Sequence, residues 1–133
     1  MIEQVQNRYK TLAVEAQVQA FIDDMVAAYQ WADLVICRSG AMTVSELAAV
    51  GVPAILIPLP HAIDDHQTAN ARYLADAGAG LILRQRDLTA TTLAEQITKI
   101  AINLNEMAKA AKQCARLDAT EVVAASCMAE VGL

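Results

Sequence analysis

The sequence predicts an α/β domain in which helices flank a parallel sheet. Short apolar runs alternate along the chain with helix-patterned stretches of about ten residues, the order expected of βαβ units. Apolar residues make up 56% of the chain but aromatics only 4%, and small aliphatic side chains of this kind suit helices packed on a sheet. At 133 residues the chain has the length of one domain with one core. Parallel units of this type cross over right-handedly and bind ligands at the carboxyl ends of their strands.

The elements follow in order. Val5, Tyr9, Leu12 and Val14 recur at near-helical spacing and predict a first helix. Gln17 to Phe21, "QVQAF", alternates polar and apolar residues and predicts a short strand. Asp23 and Asp24 are N-cap candidates for the helix "MVAAYQWA", with acidic charge at its positive end. "DLVICRS" is a continuous apolar run and predicts a buried strand. Gly40 or Thr43 opens the helix "MTVSELAAV", and Gly51 closes it. "PAILIPL" predicts a third strand, stopped by Pro58 and Pro60. "HQTANARYLADA" predicts a helix closed by Gly78, and "GLILR" a fourth strand. From Leu88 onward the pattern is helical, with Asp87 or Thr89, Asn103 or Asn105, and Asp118 as starts of successive pieces.

Composition narrows the function classes. The net charge is -5 and the ten basic residues form no run, which argues against a nucleic-acid partner. Cys37, Cys114 and Cys127 stand apart from one another, as expected of small hydrophobes in a reducing cytosol. The polar start "MIEQVQNRYK" does not read as a signal peptide, and no apolar run reaches the roughly 18 residues of a spanning helix.

Two polar clusters lie where ligands are expected. Arg38 to Met42 follows a strand and leads into a helix N-terminus, where unpaired amides and the helix dipole favour an anion. Gly40 permits close backbone approach and unusual dihedrals, and Ser39 and Thr43 carry hydroxyls, although βα turns of this composition also occur with no ligand. Glu46 has two readings on spacing alone. It answers a Thr43 cap in a capping box, or its carboxylate takes both hydroxyls of a ribose. In the second cluster, His66, Gln67 and Asn70 open a helix, and three neutral hydrogen-bonding side chains suit a sugar. Asp64, Asp65 and His66 are metal-ligating types, but no further ligands join them, so N-capping by Asp64 or Asp65 is the simpler reading and no metal is expected.

The run "FIDDMVAAYQWADLVICRSGAMTVSELAAVGVPAILIPLP", followed by "DDHQTANARYL" and "AGAGLIL", closely resembles the carboxyl-terminal domain of the MurG family. These are bacterial glycosyltransferases of the GT-B fold that add N-acetylglucosamine to undecaprenyl-pyrophosphoryl-muramoyl-pentapeptide in peptidoglycan synthesis. The resemblance runs from about Ala20 to the end, and its RSGAxTxSE and HQxxNA segments are specific. It implies a Rossmann-like donor domain that binds UDP-N-acetylglucosamine. Ile22 would pair its backbone with the uracil edge, with Met25 close by. Gly40, Ala41, Met42 and Thr43 would form the loop near the phosphates, continued by Val44 and Ser45, and Glu46 would hold the ribose diol. Gln67, with His66, would contact the sugar hydroxyls, supported by Asn70. Arg38 would lie near the pyrophosphate or hold a loop carbonyl.

A GT-B enzyme closes its active site between two Rossmann-like domains, and 133 residues are too few for both. The resemblance therefore implies a single, partial, carboxyl-terminal donor domain over residues 1–133. The amino-terminal acceptor domain, with its membrane-facing patch and candidate base, would be absent, as would the donor domain's first strand and Gly/Ser-rich phosphate loop. His61 and His66 are the only histidines, and neither matches a catalytic position of the family. No catalytic residue and no cofactor is expected in the chain, and the parent enzyme would be cytoplasmic and peripheral on the inner membrane. Other readings are the nucleotide-sugar module of a related GT-B protein, such as a UDP-sugar epimerase, and a non-catalytic subunit that serves a separate membrane-bound chain.

Overall fold

A computed structural model describes residues 2–20, 22–60 and 66–115. Its centre is a three-stranded parallel sheet, β1 (Val35–Cys37), β2 (Ala54–Leu56) and β3 (Gly80–Ile82), in the order β1-β2-β3. Val35 pairs with Ala54 and Ala54 with Gly80, so the three strands run level. The ladder extends past the strand ends, where Ile57 N donates to Cys37 O at 2.8 Å and Leu83 N to Leu56 O at 2.9 Å.

Six helices accompany the sheet among the described residues: α1 (Ile2–Thr11), α2 (Met25–Trp31), α3 (Ala41–Val50), α4 (His66–Asp76), α5 (Ala90–Ala101) and α6, residues 104–115. Local chemistry sets most of their ends. The Asp24 carboxylate accepts from Ala27 N at 2.9 Å and caps α2. Gly51 closes α3 in the left-handed region at φ 83, and Gly78 follows α4 at φ 81. Thr89 and Thr92 form a reciprocal capping box at the start of α5, after a 3-10 turn at Gln85–Asp87. Asn103 O accepts the first-turn bond from Met107 N as α6 begins.

The middle strand is buried on both faces, and its alternation divides the core. Ala54 and Leu56 join Val44, Leu47, Ala48, Ala71, Leu74 and Tyr29 on the side of α2, α3 and α4. Ile55 and Ile57 join Leu83, Ile100 and Met107 on the side of α5. The helix α6 serves both clusters, Met107 in one and Ala111 and Cys114 in the other. Leu47, Ile55, Leu56, Leu74 and Ile100 are wholly buried, each contributing about 1.5–3 kcal/mol of apolar transfer.

Three expectations are corrected. Residues 17–20 form no strand; they are exposed or half-buried and carry no ladder partner, so their alternation faces no sheet. The first helix stops at Thr11, before Leu12 and Val14, and Ala13 turns at φ 55. The strand β1 is not buried throughout: it ends the described sheet, and Ile36 is 44% exposed. Phe21, His61, Asp64, Asp65, Cys127 and the helix expected from Asp118 lie outside the described residues.

Candidate functional site

The carboxyl ends of β1 and β2 feed the two polar clusters. After Cys37 the chain passes through Arg38 and Ser39 to Gly40, the N-cap of α3. Gly40 has ordinary extended dihedrals, φ -63 and ψ 154, so the unusual backbone expected of it is not used. The space where its Cβ would project is empty to 4 Å, which leaves room for close approach to the loop. No side chain caps α3, and the amides of its first turn, Ala41 to Thr43, lie beside that open space. Met42 is 78% exposed, Ser45 is exposed, and the Val44 side chain turns into the core.

With Gly40 as N-cap, Glu46 falls in the second turn of α3, and the capping box with Thr43 does not form. Tyr29 is buried beneath the helix. Burial pushes its phenol up, the Glu46 and Cys37 side chains add to the rise, and the Thr43 side chain opposes it. Burial likewise pushes the Cys37 thiol up to about 11.

Glu46 lines a hollow of about 650 Å³ together with Ile22 and Met25, and with Asp23, Asp24 and Val26 around the start of α2. Three residues expected to take a nucleoside thus line one open hollow, from the start of α2 and from α3. Arg38 had two readings, and the structure places its Nη1 3.4 Å from Ile57 O, as a donor to a loop carbonyl.

The second cluster is tied to the first by two hydrogen bonds and to the end of β2 by a third. The wholly buried Ser39 donates its hydroxyl to Gln67 O at 2.6 Å. Asn70 Nδ2 donates to Ser39 O at 3.0 Å, and Leu59 N donates to Gln67 Oε1 at 2.8 Å. The Ser39 hydroxyl, expected as a possible ligand donor, is therefore committed inside the protein. His66 is exposed at the first position of α4. Among the described residues, no three His, Cys, Asp or Glu side chains gather at metal-ligand spacing.

Sequence reasoning missed Tyr29 and Ser39 as supports of the site. In the sequence Tyr29 is one residue of the helix "MVAAYQWA" and Ser39 a loop hydroxyl; only the packed fold buries Tyr29 in the core and bonds Ser39 to Gln67 and Asn70.

Comparison with known proteins bears on the family and the fold. Residues 2–125 match the glycosyltransferase family 28 C-terminal domain. A Methylococcus capsulatus protein, "UDP-N-acetylglucosamine--N-acetylmuramyl-(pentapeptide) pyrophosphoryl-undecaprenol N-acetylglucosamine transferase", is 53% identical over 135 aligned positions, covering 99% of this chain and 38% of that protein. A Shewanella denitrificans protein of the same name is 59% identical over 118 positions, covering 86% of this chain and 32% of its own length. The crystal structure of Acinetobacter baumannii MurG superposes with a TM-score of 0.79 at 46% identity, covering 84% of this chain and 35% of that one. The spinosyn forosaminyltransferase SpnP, at 22% identity and a TM-score of 0.57, shares the fold. This chain spans about a third of the length of the curated relatives it matches. It belongs to the glycosyltransferase family 28 C-terminal domain family.

Proposed function

We propose that this chain is the donor-binding part of a transferase that moves N-acetylglucosamine from UDP-N-acetylglucosamine to an undecaprenyl-pyrophosphoryl-linked muramoyl pentapeptide. The observation that carries the reading is the hollow that gathers Ile22 and Met25 with Glu46 of α3, the helix whose start carries no side-chain cap. The sequence relatives named for that reaction support the choice of donor and acceptor.

In this reading the uracil lies against Ile22 and Met25, pairing with backbone groups of residue 22. Glu46 accepts from the two ribose hydroxyls, which its carboxylate can do with one oxygen each. The diphosphate lies over Gly40, where the amides of Ala41, Met42 and Thr43 and the dipole of α3 oppose its charge. The sugar reaches towards α4, where His66, Gln67 and Asn70 stand. Transfer is a single inverting displacement: the acceptor hydroxyl attacks the anomeric carbon, and the bond to the UDP oxygen breaks. The chain's share of that step is stabilisation of the departing diphosphate by fixed amides, with no metal required. The base and the acceptor site belong to the part of the relatives' length that this chain does not span, and so does contact with the membrane surface. No described helix is long and apolar enough to cross a membrane. A cytoplasmic nucleotide sugar and a lipid-linked acceptor together put the working enzyme on the inner face of the bacterial membrane.

Calorimetric titration with UDP and GDP tests the reading. A pyrimidine-shaped site should bind UDP at least about tenfold more tightly, the equivalent of one well-made hydrogen bond or more. Equal affinities would remove the base-recognition role from Ile22 and Met25.

A further inference from the structure

The hydrogen bonds around Ser39 determine more than the spacing of two loops. A glutamine amide presents one acceptor oxygen and two donor hydrogens. The Leu59 amide can only donate, and it points at Gln67 Oε1 from 2.8 Å. The Gln67 side chain is thereby oriented, with its oxygen towards Leu59 and its Nε2 directed away. Its main chain is held separately. The Ser39 hydroxyl, with no exposure to solvent, donates to Gln67 O at 2.6 Å, and Asn70 Nδ2 returns a bond to Ser39 O at 3.0 Å. These bonds join positions 28 and 31 residues apart in sequence, so the loop that leads into α3 and the first turn of α4 form one unit.

Building on the donor-site reading above, we propose that Ser39 is the positioning residue for the sugar end of the site. It acts through Gln67, whose Nε2 is presented only as a donor to an accepting sugar oxygen. Ser39 itself touches no ligand. Asn70 completes the brace from α4. The consequence for specificity is that the sugar atom facing Gln67 must offer a lone pair, as a hydroxyl or an acetamido carbonyl does. A carboxylate in place of the amide retains an oxygen for Leu59 and turns the outward donor into an acceptor.

The test uses the full 133-residue chain, with UDP and UDP-N-acetylglucosamine as probes, in the parent and in Ser39→Ala and Gln67→Glu. Ser39→Ala should bind UDP within about twofold of the parent, and both variants should lose roughly 5- to 10-fold in affinity for UDP-N-acetylglucosamine, one hydrogen bond's worth. Hydrogen exchange at the Leu59 amide should stay slow in Gln67→Glu and become faster in Ser39→Ala. Equal losses for UDP and for the nucleotide sugar, or no loss for either, would overturn the proposal. Because Ser39 is wholly buried, a measurement on the parent chain stands beside the variants. The Gln67 side-chain amide resonances should shift with UDP-N-acetylglucosamine and remain in place with UDP; a shift with both, or with neither, would also overturn it. If the parent bound neither probe, the donor-site reading would fail, and an unprotected Leu59 amide would separately overturn the brace.

Discussion

Glu46→Gln separates a ligand role from a structural one. Glu46 lies in the second turn of α3, behind the Gly40 N-cap, so no helix-terminal amide depends on it. The substitution should leave folding stability within about 0.5 kcal/mol of the parent. Its effect on the nucleotide should be larger. A carboxylate accepts from both ribose hydroxyls, whereas a carboxamide keeps one acceptor and meets the second hydroxyl with a donor. Loss of one charge-assisted bond is worth about 1.5–3 kcal/mol, or roughly 10- to 150-fold in Kd. The assay is a calorimetric cycle of two chains against two ligands, UDP and 2′,3′-dideoxy-UDP. The parent should lose affinity when the hydroxyls are removed, and the variant should lose little more. If Glu46→Gln weakened both ligands equally, the carboxylate would not be at the ribose. If it lowered stability by more than about 1 kcal/mol without changing binding, Glu46 would be a structural residue.

Two further predictions concern the scaffold. A Cβ at Gly80 would lie 2.9 Å from Ala54 O in the neighbouring strand, so Gly80→Ala should cost about 1–3 kcal/mol in urea unfolding; an unchanged midpoint would contradict the β2–β3 register. Cys37, pushed up to about 11 from 9.0, should alkylate slowly at pH 8. Its thiolate fraction falls about 100-fold, the greater nucleophilicity of a more basic thiolate recovers up to about 10-fold, and a net rate roughly 10-fold below an ordinary thiol is expected in site-resolved mass spectrometry. The folded state also holds this proton more tightly than the unfolded one. The contribution of Cys37 to stability is therefore intact below pH 9 and is lost as pH rises through about 11.

The parts of the fold legible in the sequence are those set by local chemistry. Asp24, Gly51, Gly78 and Thr89 mark helix ends because a carboxylate, a hydroxyl or a left-handed glycine acts within a few residues of itself. Strands are different, since their existence depends on a partner. Gln17 to Ala20 alternates like a strand and lies outside the described sheet, and Ile36 belongs to a continuous apolar run yet sits on the strand at the sheet's end. The candidate site divides in the same way. Ile22 and Met25 were singled out by the family resemblance alone, and the loop into α3 by its own residues as well as by that resemblance. The commitment of the Ser39 hydroxyl to Gln67, and of Arg38 to Ile57 O, depends on how distant segments pack, and no local pattern encodes it.

On the proposed reading, these 133 residues hold the elements of a uridine diphosphate sugar site. Titration of isotope-labelled protein with UDP-N-acetylglucosamine, UDP and GDP, followed through backbone amide shifts, tests it most directly. Shifts are expected at Ile22 and from Gly40 to Glu46 with either uridine nucleotide, additional shifts at Gln67 only when the sugar is present, and little response to GDP. A folded sample whose shifts fell away from α3, or matched equally with GDP, would contradict that reading.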